Sequence, residues 1–390
     1  MKNFTLLETK KVIIATHIYT TGPAQDLKDY LLKNKIEELL FIGHPLFYDK
    51  NLKGSGYNLY KHGLLVINKY EVIKRFNQLF GFVRAVVLDV YYVLIQKQKY
   101  ELYFGSDNLN AFAGLFLKKV GLVKKVIYYV IDYNPKRFSN NVLNWIYHKI
   151  DQICVKYSDE TWNLSPRMEE ARKKYFNFSG GSQRVVPVGV WFNRIKRKEF
   201  SKIEKSTLVF MGHITKKQGV QQVIEATPQI LKIVPDFKFL VIGGGNYLDE
   251  LKKMTKKLNI VKHIVFTGYV EDHKEIEEML SSCALAVAPY EKYDEDGNLS
   301  FTYFADPAKI KNYMACGLPV LLSDVPHNAK EIEKKKCGIV VGYRRKDLSR
   351  AAISLLRDEK KLAEYRRNAV NYAKDFDWNK IFNVNLTRLI

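Results

Sequence analysis

The sequence predicts an α/β protein built from two Rossmann-like domains, and three observations carry that expectation. Short apolar runs alternate with amphipathic helical patterns through the C-terminal half, which implies a doubly wound parallel sheet. A weaker version of the same rhythm runs through the N-terminal half. At 390 residues and 47% hydrophobic composition, the chain is also large enough to bury two separate cores.

In the N-terminal half, residues 11–15 read as the first strand and 27–33 as the helix that follows. Residues 39–42, 63–66 and 126–131 are further strand candidates, while 110–120 and 141–156 are helix candidates. The segment Val185-Val186-Pro187-Val188-Gly189-Val190 closes this domain, expected over 1–192, and charged residues over 193–205 mark the boundary. In the C-terminal half, residues 207–211 form a strand candidate and 220–233 a helix. The strand 237–242 ends in Gly243-Gly244-Gly245 and leads to a helix near 247–258; then come strand 263–267, a helix near 274–281 and strand 285–288. This second domain is expected over 206–374. Ligands of such sheets bind beyond the C-terminal ends of the strands.

Residues 305–324 read as a capped helix running into a buried strand. Asp306 suits the helix N-cap, Pro307 the first helical position and Gly317 the stop before Val320-Leu321-Leu322. Ile310, Tyr313 and Met314 fall at helical spacing toward a core, while Lys309 and Asn312 lie three apart on another face. Free backbone N–H groups at a helix start, with a lysine nearby, receive an anion, and phosphate is the expected one. The loop Met211 to Gly219 also follows a strand and opens a helix, and it carries Lys216 and Lys217. Those lysines read either as phosphate contacts or as solvated loop residues. The triple glycine lets backbone approach a ligand at Gly244 or forms a tight connection.

The formal net charge is +22, from 63 basic and 41 acidic residues, which points to an acidic partner without choosing among nucleotide, lipid and nucleic acid. The basic residues are spread along the chain and form no zinc-finger, helix-turn-helix or RNA-recognition signature, so nucleic acid is not an expected partner. Four cysteines lack metal-ligand or disulfide spacing, which fits a reducing compartment. The N-terminus lacks the apolar core of a secretory signal, and the longest apolar run, 85–95, is broken by Asp89. The expected location is cytoplasmic, with a peripheral position at the inner face of a membrane as an option. Residues 110–125 combine an apolar stretch with four lysines and read either as a core helix with a charged end or as a contact for an anionic membrane surface.

The run Asn312-Tyr313-Met314-Ala315-Cys316-Gly317-Leu318-Pro319-Val320 resembles the nucleotide-sugar site of family-4 glycosyltransferases of GT-B architecture, whose common form is Glu-x7-Glu followed by Ala-Met-Ala-x-Gly-x-Pro-Val. Phe304 and Asn312 stand in place of the two glutamates, and His213 and Gln218 in place of an arginine and a lysine in the strand-end loop. The residues 376–382 look like the terminal helix that crosses back to the first domain, here 375–390. The resemblance implies two domains facing across a cleft, and transfer of a sugar from a nucleotide-diphosphate sugar to an acceptor hydroxyl with retention. The donor is then a substrate, and neither cofactor nor metal is required. Donor contacts carried over or consistent with it are Gly22, Gly212, His213, Lys216, Lys217, Gly244, Tyr269, Val270, Asp306, Lys309 and Asn312. Gly22 belongs to the loop 20–24, which resembles the family's glycine loop near the donor phosphate, and Tyr269-Val270 stands where backbone meets the base. Lys217 and Asp306 are expected to stabilise the leaving diphosphate, and Asp132, at the end of an apolar strand, to bind the acceptor, a glycan or glycolipid. Asp107 occupies a similar strand end, and either aspartate also reads as a cap. The cluster Asp294-Glu295-Asp296 reads as a mobile polar loop, with no metal assigned. Two rivals stay open: a noncatalytic GT-B-like carbohydrate- or partner-binding protein, motivated by the missing glutamates, and a nucleotide-sugar epimerase.

Overall fold

The computed structural model describes residues 6–17, 21–45, 54–71 and 78–389, and Thr20 of the glycine loop lies outside them. The chain divides into one unit of residues 1–187 with 381–390 and a second of residues 188–380.

The first unit holds β1 (Lys11–Thr16), β2 (Glu38–Gly43), β3 (Gly56–Lys61), β4 (Leu64–Tyr70), β5 (Tyr100–Gly105), β6 (Val123–Val130), β7 (Glu160–Asn163) and β8 (Gln183–Val185). They form one sheet in the order β4-β3-β2-β1-β5-β6-β7-β8. The strands from β2 through β8 in that order are parallel to their neighbours, and β3 and β4 pair antiparallel at the edge. The strand expected from residue 63 therefore begins one residue later. His62 and Gly63 make a two-residue hairpin turn with φ of 50° and 84°, the left-handed pair whose twist suits a tight hairpin. β5, unassigned in the sequence reading, is aromatic rather than aliphatic, yet it buries Tyr100, Leu102, Tyr103 and Phe104 in the middle of the sheet. Helices Gln78–Leu94, Asn108–Lys119 and Asn141–Tyr157 connect its strands.

The second unit holds β9 (Glu204–Met211), β10 (Lys238–Ile242), β11 (Ile264–Gly268), β12 (Cys283–Ala288), β13 (Val320–Leu322) and β14 (Gly338–Val340). All pair in parallel in the order β11-β10-β9-β12-β13-β14. Both faces are covered, so its strands read as continuous apolar runs. β9 shows this directly: Leu208 and Phe210 pack in the core with Val223 and Ile224, while Val209 points to the other face with Ile310 and Met314. The two-domain Rossmann-like α/β class expected from the sequence is the class observed.

The helix Trp378–Leu389 starts in the second unit and ends in the first. At its start the Trp378 N–H donates to Val190 O at 3.1 Å, and the indole fills the space that a side chain on Gly189 would need. In its second turn Phe382 packs on Tyr30, ring centroids 5.4 Å apart. All four cysteines are free and buried. Among the described residues no helix is long and apolar enough to cross a membrane.

Candidate functional site

In the second unit the chain leaves β9 toward β10 and β11 on one side and returns through β12 to β13 and β14 on the other. The ends of β9 and β12 thus form the point where strand order reverses, the place such sheets use for ligands. The helix Ala308–Ala315 is fastened there by Tyr313, whose hydroxyl accepts from Met211 N at 2.7 Å and lies 3.3 Å from Met211 O. Lys309, one helical turn earlier on the same face, is thereby set over the loop that follows β9. Its Nζ donates to Gln218 Oε1 at 2.7 Å and lies 4.3 Å and 5.4 Å from the ring centroids of Phe210 and Tyr290.

Lys309 has no carboxylate partner among the described residues. Burial of its half-covered stem and head pushes the ammonium down to about 7, and the two ring faces oppose that shift by favouring the charged form. Gly212, with φ of 138°, leaves the room: a Cβ there would lie 2.7 Å from Lys309 Nζ. The loop closes on β12 through Gly219, where a Cβ would lie 1.8 Å from Pro289 O. Gln218, which stands where the resemblance expects a lysine, thus accepts from Lys309.

Asp306 requires a correction. Pro307, not Asp306, is the N-cap, and the Asp306 carboxylate is buried and turned inward. One oxygen pairs with Lys311 and lies 3.4 Å from His327 Nε2; the other accepts from Val188 N at 2.8 Å. An inward carboxylate with both oxygens engaged fastens the start of this unit to the helix. Phe304, at the place of the family's first glutamate, is buried as well. Asn312 is half-buried beside Tyr313, and its side chain shows no partner among the described residues.

His213, Lys216 and Lys217 are exposed on the same loop. The triple glycine is mainly structural: a Cβ on Gly243 would lie 2.1 Å from Gly212 O, and one on Gly245 equally close to Ile214 O, at 2.1 Å. Only Gly244 of the three faces open space. Gly268 ends β11 with φ of 76°, followed by Tyr269, 83% exposed, and by half-buried Val270. Asp294 is spent on its own turn, accepting from Asn298 N at 2.8 Å and from Asp296 N at 3.1 Å. Among the described residues no group of three or more potential metal ligands converges.

The first unit has its own reversal point, between β1 and β5. Beyond the ends of β1, β5 and β6 lies a cavity of about 530 Å³. Its polar end carries His17, Ser106, Asp107, Asp132 and Arg137, and its walls are apolar. Asp107 caps the helix Asn108–Lys119, its Oδ1 accepting from Leu109 N at 2.8 Å and Asn110 N at 2.9 Å. Asp132 caps nothing. One oxygen pairs with Arg137, and the other, Oδ1, is buried without a hydrogen-bond partner among the described residues. His17 Nε2 lies 3.4 Å from Asp107 Oδ2, and burial holds its imidazole below the ordinary range against the opposing pull of that carboxylate. Gly22 lies at the start of the helix Pro23–Lys33, just past β1. His17 directly follows the end of β1. Its place beside two strand-end aspartates becomes visible only once β5, missed for its aromatic composition, is inserted next to β1.

Residues 192–375 match the family described as Glycosyl transferases group 1. A GDP-mannose-dependent alpha-(1-6)-phosphatidylinositol monomannoside mannosyltransferase of Mycolicibacterium smegmatis is 30% identical over 71 residues, 18% of this chain and 19% of that protein. An alpha-D-kanosaminyltransferase of Streptomyces kanamyceticus is 26% identical over 168 residues, 43% of this chain and 40% of the relative. The chain thus spans well under half the length of these two curated relatives. In fold, Anabaena Alr3699/HepE in complex with UDP superposes with a TM-score of 0.71 at 16% identity, covering 97% of this chain and 99% of that one.

Proposed function

From the premise that this chain belongs, through residues 192–375, to the group 1 glycosyltransferases, we propose that it moves a sugar from a nucleotide-diphosphate sugar to an acceptor hydroxyl with retention, in glycan or glycolipid synthesis. The single observation that carries the donor half is Lys309: a desolvated cation without a carboxylate, held by Gln218 at the strand-order reversal beside the Gly212 backbone. A desolvated cation whose partner within the protein is a neutral amide is completed by an anionic ligand, and the diphosphate of the donor supplies two phosphates. Lys216 and Lys217 add positive charge along the same loop, Gly244 offers backbone in open space, and Asn312 presents an amide for the ribose diol. Tyr269 offers an exposed ring to the base.

In this reading the protein stabilises the charge that develops on the departing diphosphate, so electrostatics supplies the main catalytic effect. Asp132, with its unpartnered buried oxygen, receives the acceptor hydroxyl in the first unit. Binding of UDP, GDP and ADP followed by calorimetry tests the donor half. Lys309→Ala is expected to weaken the bound diphosphate by about 10- to 100-fold, the loss of one charge-assisted contact; unchanged affinity would remove Lys309 from the site.

The noncatalytic reading retains one observation in its favour, the burial of Phe304 where the family places a glutamate. It predicts diphosphate binding without any turnover of the sugar conjugate, whereas the transferase reading predicts at least slow hydrolysis of the donor in the absence of acceptor.

A further inference from the structure

The cavity beyond β1, β5 and β6 does not end at its polar mouth. It shares Val86, Val87 and Phe112 with a second cavity of about 920 Å³, so the two form one groove. Helix Asn108–Lys119 lines it along its length, with Phe112 and Phe116 pointing in, while helix Gln78–Leu94 contributes Val83 and Val87 and helix Asn141–Tyr157 contributes Ile146 and Ile153. These side chains are exposed; Val83 is 65% and Val87 59% accessible. Twelve helical residues span about 18 Å, close to the depth of one leaflet of a hydrocarbon core roughly 30 Å thick.

The outer surfaces of the three helices that line the groove carry positive charge. The three helices contain two carboxylates, Asp89 and Asp151, both buried. Their outer surfaces instead carry Lys119 and Lys118, the latter paired with Asp159 at 2.6 Å, at the far end of the groove, and Lys149 and Lys156 over the rings of Trp145 and Tyr157. An apolar channel bordered by cations and aromatic rings, with a carboxylate and an imidazole at one end, fits an amphiphile whose head lies at that end.

We propose that this groove binds the hydrocarbon chain of a lipid acceptor, a single acyl or polyprenyl tail lying along helix Asn108–Lys119 with its hydroxyl-bearing head at Asp132 and His17. The proposal rests on the transferase reading only for the word acceptor; the chain site stands on the groove itself. The test titrates the full chain with dodecyl phosphate below its micelle concentration, with inorganic phosphate as the control for the charge alone. Saturable one-to-one binding of dodecyl phosphate, far tighter than any binding of inorganic phosphate, is expected. Val87→Asp and Val83→Asp, both at exposed positions, are each expected to weaken that binding by about tenfold or more by placing a charge against the tail, with an unchanged melting temperature. Trp145→Ala, on the rim, is expected to leave it intact.

Dodecyl phosphate binding no tighter than inorganic phosphate overturns the proposal. So does capture by phosphatidylglycerol vesicles that depends on Trp145 while Val87→Asp has no effect, which would make the face a bilayer contact without a chain site. A nucleoside diphosphate titrated into the same sample reads the donor site independently. Chain binding without diphosphate binding keeps the groove and overturns the transferase reading; diphosphate binding without chain binding overturns the groove alone.

Discussion

A diphosphate arriving at Lys309 meets an ammonium that burial has pushed down to about 7. The bound anion favours the charged form and raises that value, so binding above pH 7 draws a proton from solution. Calorimetry at about pH 8 in buffers of different ionisation enthalpy is expected to show proton uptake, with affinity falling toward about pH 9. Binding with no proton exchange would show that Lys309 is charged already or makes no contact. The same residue affects folding in a definite sense. Its folded value lies below the ordinary 10.5, so between about 7 and that value the unfolded chain holds the extra proton. Its cost to stability is greatest below the folded value and is relieved as pH rises through this window. Helical spacing grouped Lys309 with Asn312 on a face apart from Tyr313, whereas Lys309 lies one turn before Tyr313 and reaches Gln218 in the strand-end loop. The place of Asp306 was not legible, because N-cap preference says which residues stop a helix and not whether a carboxylate turns inward to Lys311, five residues on and off the same face.

Elements place the groups that residues supply. β1, β5 and β6 end together, and that register brings His17, Asp107 and Asp132 to one cavity from three separate stretches of the sequence. Asp107 is committed to its helix, which leaves Asp132 as the carboxylate with capacity. Asp132→Asn is expected to lower kcat/KM by about 10- to 100-fold, the worth of one hydrogen bond to a charged group, while leaving diphosphate affinity unchanged. Equal loss of both would place Asp132 outside the acceptor site. Arg172 on helix Pro166–Phe176 meets Asp151 through two contacts, Nε to Oδ2 at 2.7 Å and Nη2 to Oδ1 at 2.9 Å. Arg172→Met leaves a buried carboxylate unmatched and is expected to destabilise the protein by about 3–5 kcal/mol, read as a lower denaturant midpoint. Strands made of aliphatic runs, such as β9 and β12, were legible in the sequence. β5 and β7, built on Tyr, Phe, Glu and Trp, were not, since they hold their place through partners far along the chain.

For the whole molecule, a net charge of +22 creates a long-range attraction for anions that does not depend on any one site. Raising salt from about 0.05 M to about 0.5 M shortens the screening length several-fold, so the association rate of a nucleoside diphosphate is expected to fall several-fold in stopped flow. Its dissociation rate should change little, because the contact at Lys309 is shielded from bulk solvent; a dissociation rate that tracks salt would place the ligand on the exposed lysines instead. The two-domain α/β class was legible because each half has its own strand-helix rhythm. The antiparallel edge of β3 and β4 was hidden by a turn of only two residues. The groove was hidden too, since its valines and phenylalanines have the spacing of ordinary core helices and only the packed helices show them uncovered.

The four cysteines offer a practical consequence. Burial raises the thiols of Cys154, Cys283, Cys316 and Cys337, to about 12 for Cys283 and Cys316 and about 11 for Cys337, and thiolate is the form that alkylating reagents attack. The native chain is therefore a silent background for thiol chemistry at neutral pH. A single cysteine introduced at Tyr269 or at Trp145 can carry a fluorophore or spin label with no prior removal of the natural ones, reporting separately on each unit.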